Sequence, residues 1–334
     1  MKISLSLLMG LGWSMALSAQ SQSDHQNDLI QSNFRYEDKI RIKEAMKISD
    51  YVGDQVWEGM ASTPFTILFL TDSLEFLLNH PHPSKDFQRL PYDSLLASEV
   101  YYRPRVFDKS FLATFPAVEG VNCILVGTPE NTGKNTSDWI ITLIHEHFHQ
   151  YQNAQDDYYK KVNELGLAGD DQSGMWMLDY AFPYDDPKVN AQYEDLVKKL
   201  LEAIDADSEK EALAKMYFQS KSSLRNLIEK DDYKYLSFQL WQEGIARYTE
   251  FKYLELLKNY PVSPEVQALA DFIPFSKFKL QFLNNQRQAF EKLTLWEHKR
   301  ICFYAWGLAE GLLYDQVKPN WRKNYHESNF FLEN

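Results

Sequence analysis

Residues 145–149 read His-Glu-His-Phe-His, so His145, Glu146 and His149 spell H-E-x-x-H. On an α-helix, positions four apart project about 40° from one another around the axis, which sets the two histidines side by side. Two imidazoles placed that way can bind one Zn2+ ion. Glu146 flanks the same face, where its carboxylate can take a proton from a metal-activated water without being a ligand. Two ligands and a general base within five residues are the minimum for metal-assisted hydrolysis. His147 points to the opposite side of such a helix and reads as structural.

The flanking residues say how the motif is carried. Trp139 to Ile144 form an apolar run of helical period, and Thr136, Ser137 and Asp138 before it are good helix-capping types. Asn122 to Val126 read as a strand, followed by a turn rich in Pro, Asn and Gly over Gly127 to Gly133. Strand, turn and H-E-x-x-H helix is the order found in zincins, where the strand borders the substrate cleft. The plainer reading is a helix with a histidine-rich polar face.

A catalytic zinc usually takes three protein ligands and keeps one position open. No third histidine follows at short spacing, so a carboxylate is needed. The stretch from Trp241 to Glu250 lies among apolar residues and reads as a long, largely buried helix with Glu243 in its middle, beside Gly244. A buried carboxylate is costly without a cation or partner. Glycine inside a helix also costs about 1 kcal/mol, but lets another backbone approach. Glu243 is therefore the expected third ligand. Arg247 and Glu250 fall on the same face, so a structural ion-pair stripe Glu243–Arg247–Glu250 without metal is the competing reading.

W-x-E-G-x-A-x-Y-x-E, from Trp241 to Glu250, resembles the third-ligand helix of the aminopeptidase N family of gluzincins. The resemblance implies Glu243 as ligand and Glu250 as a partner for a zinc-bound histidine. Phe303 to Gly307 resemble that family's Tyr-x-x-Gly motif, which implies that Tyr304 hydrogen-bonds the oxyanion of the transition state. Gly307 and Gly311 share its side of the helix and permit close packing. Trp306 stands where the family usually has Lys. The family's Gly-x-Met-Glu-Asn strand, which grips a free amino terminus, has an echo in Gly127 to Asn131. The matching motifs cover about a tenth of the chain.

The chain has 334 residues, 44% hydrophobic and 15% aromatic, enough for a sizeable core. Its net charge of −12 argues against nucleic acid and anionic membranes as partners. Residues 1–19 read as a signal peptide, with Lys2, an apolar Leu5–Ala16 core and small residues at Ala16, Ser18 and Ala19. Export to the periplasm or the extracellular space is expected, with no stable membrane insertion after cleavage. Residues 20–35 read as a flexible lead-in. Cys123 and Cys302 can pair in an exported protein or remain two buried thiols.

Residues 36–61 have helical spacing. Phe65–Leu70, Val100–Arg105 and Phe111–Phe115 read as strands, and Leu74–Leu78 as strand or helix. His80 and His82 lie in a Pro-rich loop and read as solvated. From 137 onward the pattern is helical. The expected fold is α+β and zincin-like: a small N-terminal sheet on a mostly helical body, in one unit over 36–334, divided into an α/β part (36–115) and a catalytic helical part (116–334). The aromatic stretch from Met175 to Asp186 is placed as a wall of the cleft or as a packed loop. The expected function is zinc-dependent hydrolysis of peptide or protein substrates. The alternatives are a zinc hydrolase of a non-peptide amide or ester, and a catalytically silent zinc-binding module. The residues leave open endopeptidase against aminopeptidase action, a prosegment role for 20–115, and the oligomeric state.

Overall fold

The computed structural model describes residues 28–171, 173–318 and 320–333. The expected signal peptide and residues 20–27 of the expected lead-in lie outside them. The rest of that lead-in is not the flexible segment expected. Residues 28–33 are helical, and Phe34 is buried with its ring 4.7 Å from Phe76. Ile30 and Phe34 are one helical turn apart, so both face the core.

Helices of ten or more residues are numbered here in chain order. Helix α1 spans Tyr36–Val56 and precedes the strands. These are β1 (Ile67–Leu70), β2 (Leu74–Leu78), β3 (Gln88–Arg89), β4 (Val100–Pro104), β5 (Leu112–Val118) and β6 (Val121–Gly127). They form one sheet in the order β3-β4-β2-β1-β6-β5, antiparallel except for the β1–β6 pair. The ambiguous segment at Leu74 is thus a strand. The expected division near residue 115 falls inside β5, so both halves contribute to the same sheet.

Period-two alternation assigns the two faces of this sheet. Ile67, Phe69, Ile124 and Val126 join the main core beneath the helices, while Leu68, Leu70, Cys123 and Leu125 join a smaller cluster on the other face with Phe87 and Val118. Each aliphatic side chain buried this way contributes about 1.5–3 kcal/mol. Central strands buried on both faces account for the continuous apolar runs in the sequence.

Helix α2 (Thr136–Asn153) carries the H-E-x-x-H residues and packs against β5, β6 and α1. Asn135 caps it, its side chain accepting from the Asp138 N–H at 3.0 Å. Thr136 and Ser137 instead tie the helix start to Asp271 and to the Ile273 carbonyl. Trp139 Nε1 donates to Gly127 O at 2.8 Å, and Gln150 Nε2 donates to Thr66 O and Asn122 O. These bonds lock the helix to the sheet and so fix the height of the motif.

The remaining long helices are α3 (Pro187–Asp205), α4 (Lys210–Leu227), α5 (Lys230–Gln239), α6 (Ile245–Leu256), α7 (Phe275–Lys292) and α8 (Ile301–Val317). A π turn, Leu240–Gly244, joins α5 to α6. Among the described residues, no helix is long and apolar enough to cross a membrane. Cys123 and Cys302 are both buried free thiols, Cys123 in the smaller core cluster and Cys302 in the main one.

Candidate metal centre

Three residues from two elements converge on one point. Helix α2 supplies His145 and His149, and the π turn supplies Glu243. Their ligand-type atoms all lie within 4.8 Å of one another. The Nε2 atoms of the two histidines are 3.1 Å apart, and Glu243 Oε2 stands 3.5 Å from one and 3.4 Å from the other. Donors at the corners of a tetrahedron around Zn2+, with bonds of about 2.0–2.1 Å, are separated by roughly 3.3–3.4 Å. The three observed separations bracket that value.

The two imidazoles are turned so that this pairing is available. His145 Nδ1 lies 2.5 Å from Glu250 Oε1, and His149 Nδ1 lies 2.7 Å from Gln152 Oε1. A carboxylate only accepts, so His145 carries its hydrogen on Nδ1 and presents the Nε2 lone pair to the cluster. Both histidines are buried, so a lone pair pointing at another lone pair and a carboxylate calls for a cation or a proton between them. Burial works against charging His145, but the Glu243 and Glu250 carboxylates outweigh it and raise its pKa to about 9. Burial also opposes ionisation of Glu243, yet the facing His149 and His145 hold its carboxyl well below the usual range. The donor set, two imidazoles and one carboxylate, suits Zn2+.

Glu146 reaches β5 through Thr114. Its Oε2 lies 2.8 Å from Thr114 Oγ1, and its backbone carbonyl lies 3.0 Å from the same hydroxyl. The strand that meets the motif is thus β5, at the edge of the sheet. The sequence placed 122–126 beside the cleft, but those residues form β6, an inner strand between β1 and β5. Both strands are largely apolar, and the local mark that separates them is Pro116, which has no N–H to give a second neighbour and so suits the edge strand β5.

Tyr304 enters from α8. Its ring lies 6.3 Å from that of His145 and nearly parallel to it. Arg300 Nη1 donates to the Tyr304 hydroxyl at 3.0 Å, and burial together with the Glu243 carboxylate pushes the phenol up. The phenol is therefore a stable O–H donor facing the ligand cluster. Tyr248 turns away to Asp315, its hydroxyl 2.9 Å from both carboxylate oxygens.

The ion-pair stripe divides. Arg247 Nη1 pairs with Glu250 Oε2 at 2.9 Å, whereas the ion-pair partners of Glu243 are His145 and His149. His147 and His80 have structural partners instead. His147 bonds Ser49 through Nδ1 and Thr63 O through Nε2, and stacks 4.1 Å from Phe65. His80 Nδ1 accepts from the His82 N–H, and its Nε2 reaches Val118 O. The echo of an amino-terminus-gripping strand is not at the centre: 129–132 form a short helix, and Glu130 pairs with Arg35. From the aromatic stretch, Trp176 and Tyr180 pack on Phe238 and Tyr235, and Phe182 on Phe303, so it buttresses the elements behind Glu243 and Tyr304.

Sequence reasoning did not single out Thr114, Gln152, Arg300 or Tyr325. Gln152 lies one turn beyond His149 and Arg300 one turn before Tyr304, so helical spacing was a usable signal for both. Thr114 and Tyr325 come from distant segments and carry no local mark. No family model, no curated protein and no solved structure matches this chain.

Proposed function

We propose that this chain is an exported zinc-dependent peptidase with a zincin-like, gluzincin-type catalytic unit, acting on peptide or protein substrates. One observation carries the reading. The Nε2 atoms of His145 and His149 and the Oε2 atom of Glu243 stand 3.1–3.5 Å apart, with Glu146 between them and the edge strand.

His145, His149 and Glu243 would hold the ion, and Zn2+ there supplies the Lewis acidity that activates a water and polarises a carbonyl. Glu146 takes the proton from the attacking water and passes it to the leaving amine. Its buried position beside Thr114 keeps the carboxylate on the β5 side of the cluster. Tyr304 donates its O–H to the oxyanion that develops as the carbonyl becomes tetrahedral. Glu250 keeps the His145 hydrogen on Nδ1 and so leaves Nε2 free to bind.

The test is cleavage profiling by mass spectrometry on a mixed peptide library, half with blocked amino termini, with Glu146→Gln alongside. The expected result is cleavage by the wild type and loss of it in the variant, which still binds zinc. Hydrolysis that survives Glu146→Gln refutes the mechanism. Internal cuts in blocked peptides identify an endopeptidase, and loss of single residues from free amino termini an aminopeptidase.

A further inference from the structure

Gln152 holds an unusual set of partners. Its Oε1 faces His149 Nδ1 at 2.7 Å, and its Nε2 faces Trp241 O at 3.2 Å, Gln242 O at 3.1 Å and the Tyr325 hydroxyl at 2.7 Å. The Tyr325 hydroxyl also donates to Trp241 O at 2.6 Å. Two of these partners are backbone carbonyls, which only accept. The Gln152 amide nitrogen must therefore face them, and its oxygen must face His149. That orientation compels His149 to carry its hydrogen on Nδ1 and to offer the Nε2 lone pair to the cluster.

The same two carbonyls belong to the π turn that bears Glu243. A π turn is a wide, irregular turn that ordinary helix geometry does not hold in place, and its recurrence at functional sites needs support from outside the helix. Gln152 and Tyr325 provide that support. Tyr325 is itself fixed: its ring stacks on Trp241 with centroids 4.6 Å apart and planes 4° from parallel, and it is buried against Trp57.

We propose that Gln152 and Tyr325 are positioning residues for the metal centre: together they set the tautomer of His149 and clamp the turn that delivers Glu243, which makes the C-terminal segment a working part of the cradle. This rests on the reading of His145, His149 and Glu243 as metal ligands. Gln152→Leu removes the acceptor for His149 and the donor for the turn. Tyr325→Phe removes one hydroxyl and leaves the ring stack intact.

The test uses the full chain. Zinc affinity is measured by competition with a chelating dye, the ligand field by the absorption spectrum of the Co2+-loaded protein, and folding by the melting of the metal-free protein. The expected result is zinc affinity weaker by about 10–100-fold in Gln152→Leu and about tenfold in Tyr325→Phe, with an altered Co2+ spectrum in both. The Tyr325→Phe protein is expected to melt close to the wild type without metal, which separates positioning from folding. A wild type that binds zinc while both variants bind it equally well, with unchanged Co2+ spectra, overturns this inference alone. A wild type that binds no zinc overturns the metal-centre reading, and this inference with it.

Discussion

Gly244 and Gly307 touch backbone to backbone. A Cβ on Gly244 would lie 2.5 Å from Gly307 Cα, and one on Gly307 would lie 2.4 Å from Gly244 Cα. The contact seats the π turn that bears Glu243 directly on α8, three residues past Tyr304. Neither neighbour is a flexible side chain that can swing aside, so any larger residue must push the two elements apart. Gly307→Ala is expected to cost about 1–3 kcal/mol, lowering the melting temperature by roughly 2–6 °C, and to weaken zinc binding because Glu243 moves with the turn. Melting and zinc titration check both effects. A variant that melts and binds like the wild type shows that the contact has no role in setting the site.

Tyr304 and Arg300 make separable contributions. The Arg300 guanidinium occupies a lone pair of the Tyr304 oxygen, which leaves the hydroxyl hydrogen directed elsewhere. Tyr304→Phe is expected to lower kcat by about 10²–10³-fold, the cost of one oxyanion donor, with zinc affinity unchanged. Arg300→Ala is expected to lower kcat less, and Arg300→Lys to restore part of the loss by supplying one donor at the same place. Steady-state kinetics on a cleaved peptide decides. If Arg300→Ala raises KM and spares kcat, Arg300 binds substrate rather than directing Tyr304.

Much of this centre was legible beforehand because its parts are local. H-E-x-x-H is five residues on one helix, and Glu243 with Gly244 sits mid-way along a largely buried helix as two residue types that each need a reason. Gly244 does let another backbone approach, and the partner is Gly307 of α8. The α+β class followed from strands in the first third and helices thereafter. What was not legible depends on tertiary register. The one local mark of the edge is Pro116 in β5, which has no N–H for a second neighbour, and the inner place of β6 is decided by its parallel pairing with β1. The capping role of Asn135 was assigned to its neighbours because Thr136 and Ser137 are equally good caps in isolation, and only the loop around Asp271 recruits them elsewhere. The helical turn at 28–33 was missed because polar composition hid one apolar pair, Ile30 and Phe34.

Glu250 is fully engaged, by His145 Nδ1 on one oxygen and by Arg247 on the other. Burial raises its pKa, but Arg247 and His145 together lower it, so it stays ionised. Glu250→Gln keeps an oxygen able to accept from His145 but removes the charge that makes the imidazole a better donor to metal. Zinc affinity is expected to fall by about tenfold in Glu250→Gln and further in Glu250→Ala, where His145 loses its partner altogether. Equal affinity in all three proteins, measured by dye competition, would show that Glu250 serves Arg247 alone.

His326 supplies a pH dependence away from the ligands. Both its ring nitrogens are buried without a hydrogen-bond partner among the described residues, and its ring packs against Tyr151 and Tyr325. Burial, assisted by Lys161, lowers its pKa from 6.5 to about 4. Between those values the unfolded chain binds more protons at this residue than the folded chain, so stability rises with pH there. Its contribution is complete above pH 6.5 and is lost as the pH falls toward 4. His326→Phe fills the same space without a group to protonate. The variant is expected to melt at least as high as the wild type at pH 7.5, and its advantage is expected to grow as the pH drops through that window. His147, lowered to about 4 by the same burial effect, remains in both proteins, so each curve still falls on its own. The difference between the two curves isolates His326, and parallel curves from pH 7.5 to 4.5 would show that its ring does not stay neutral in the fold.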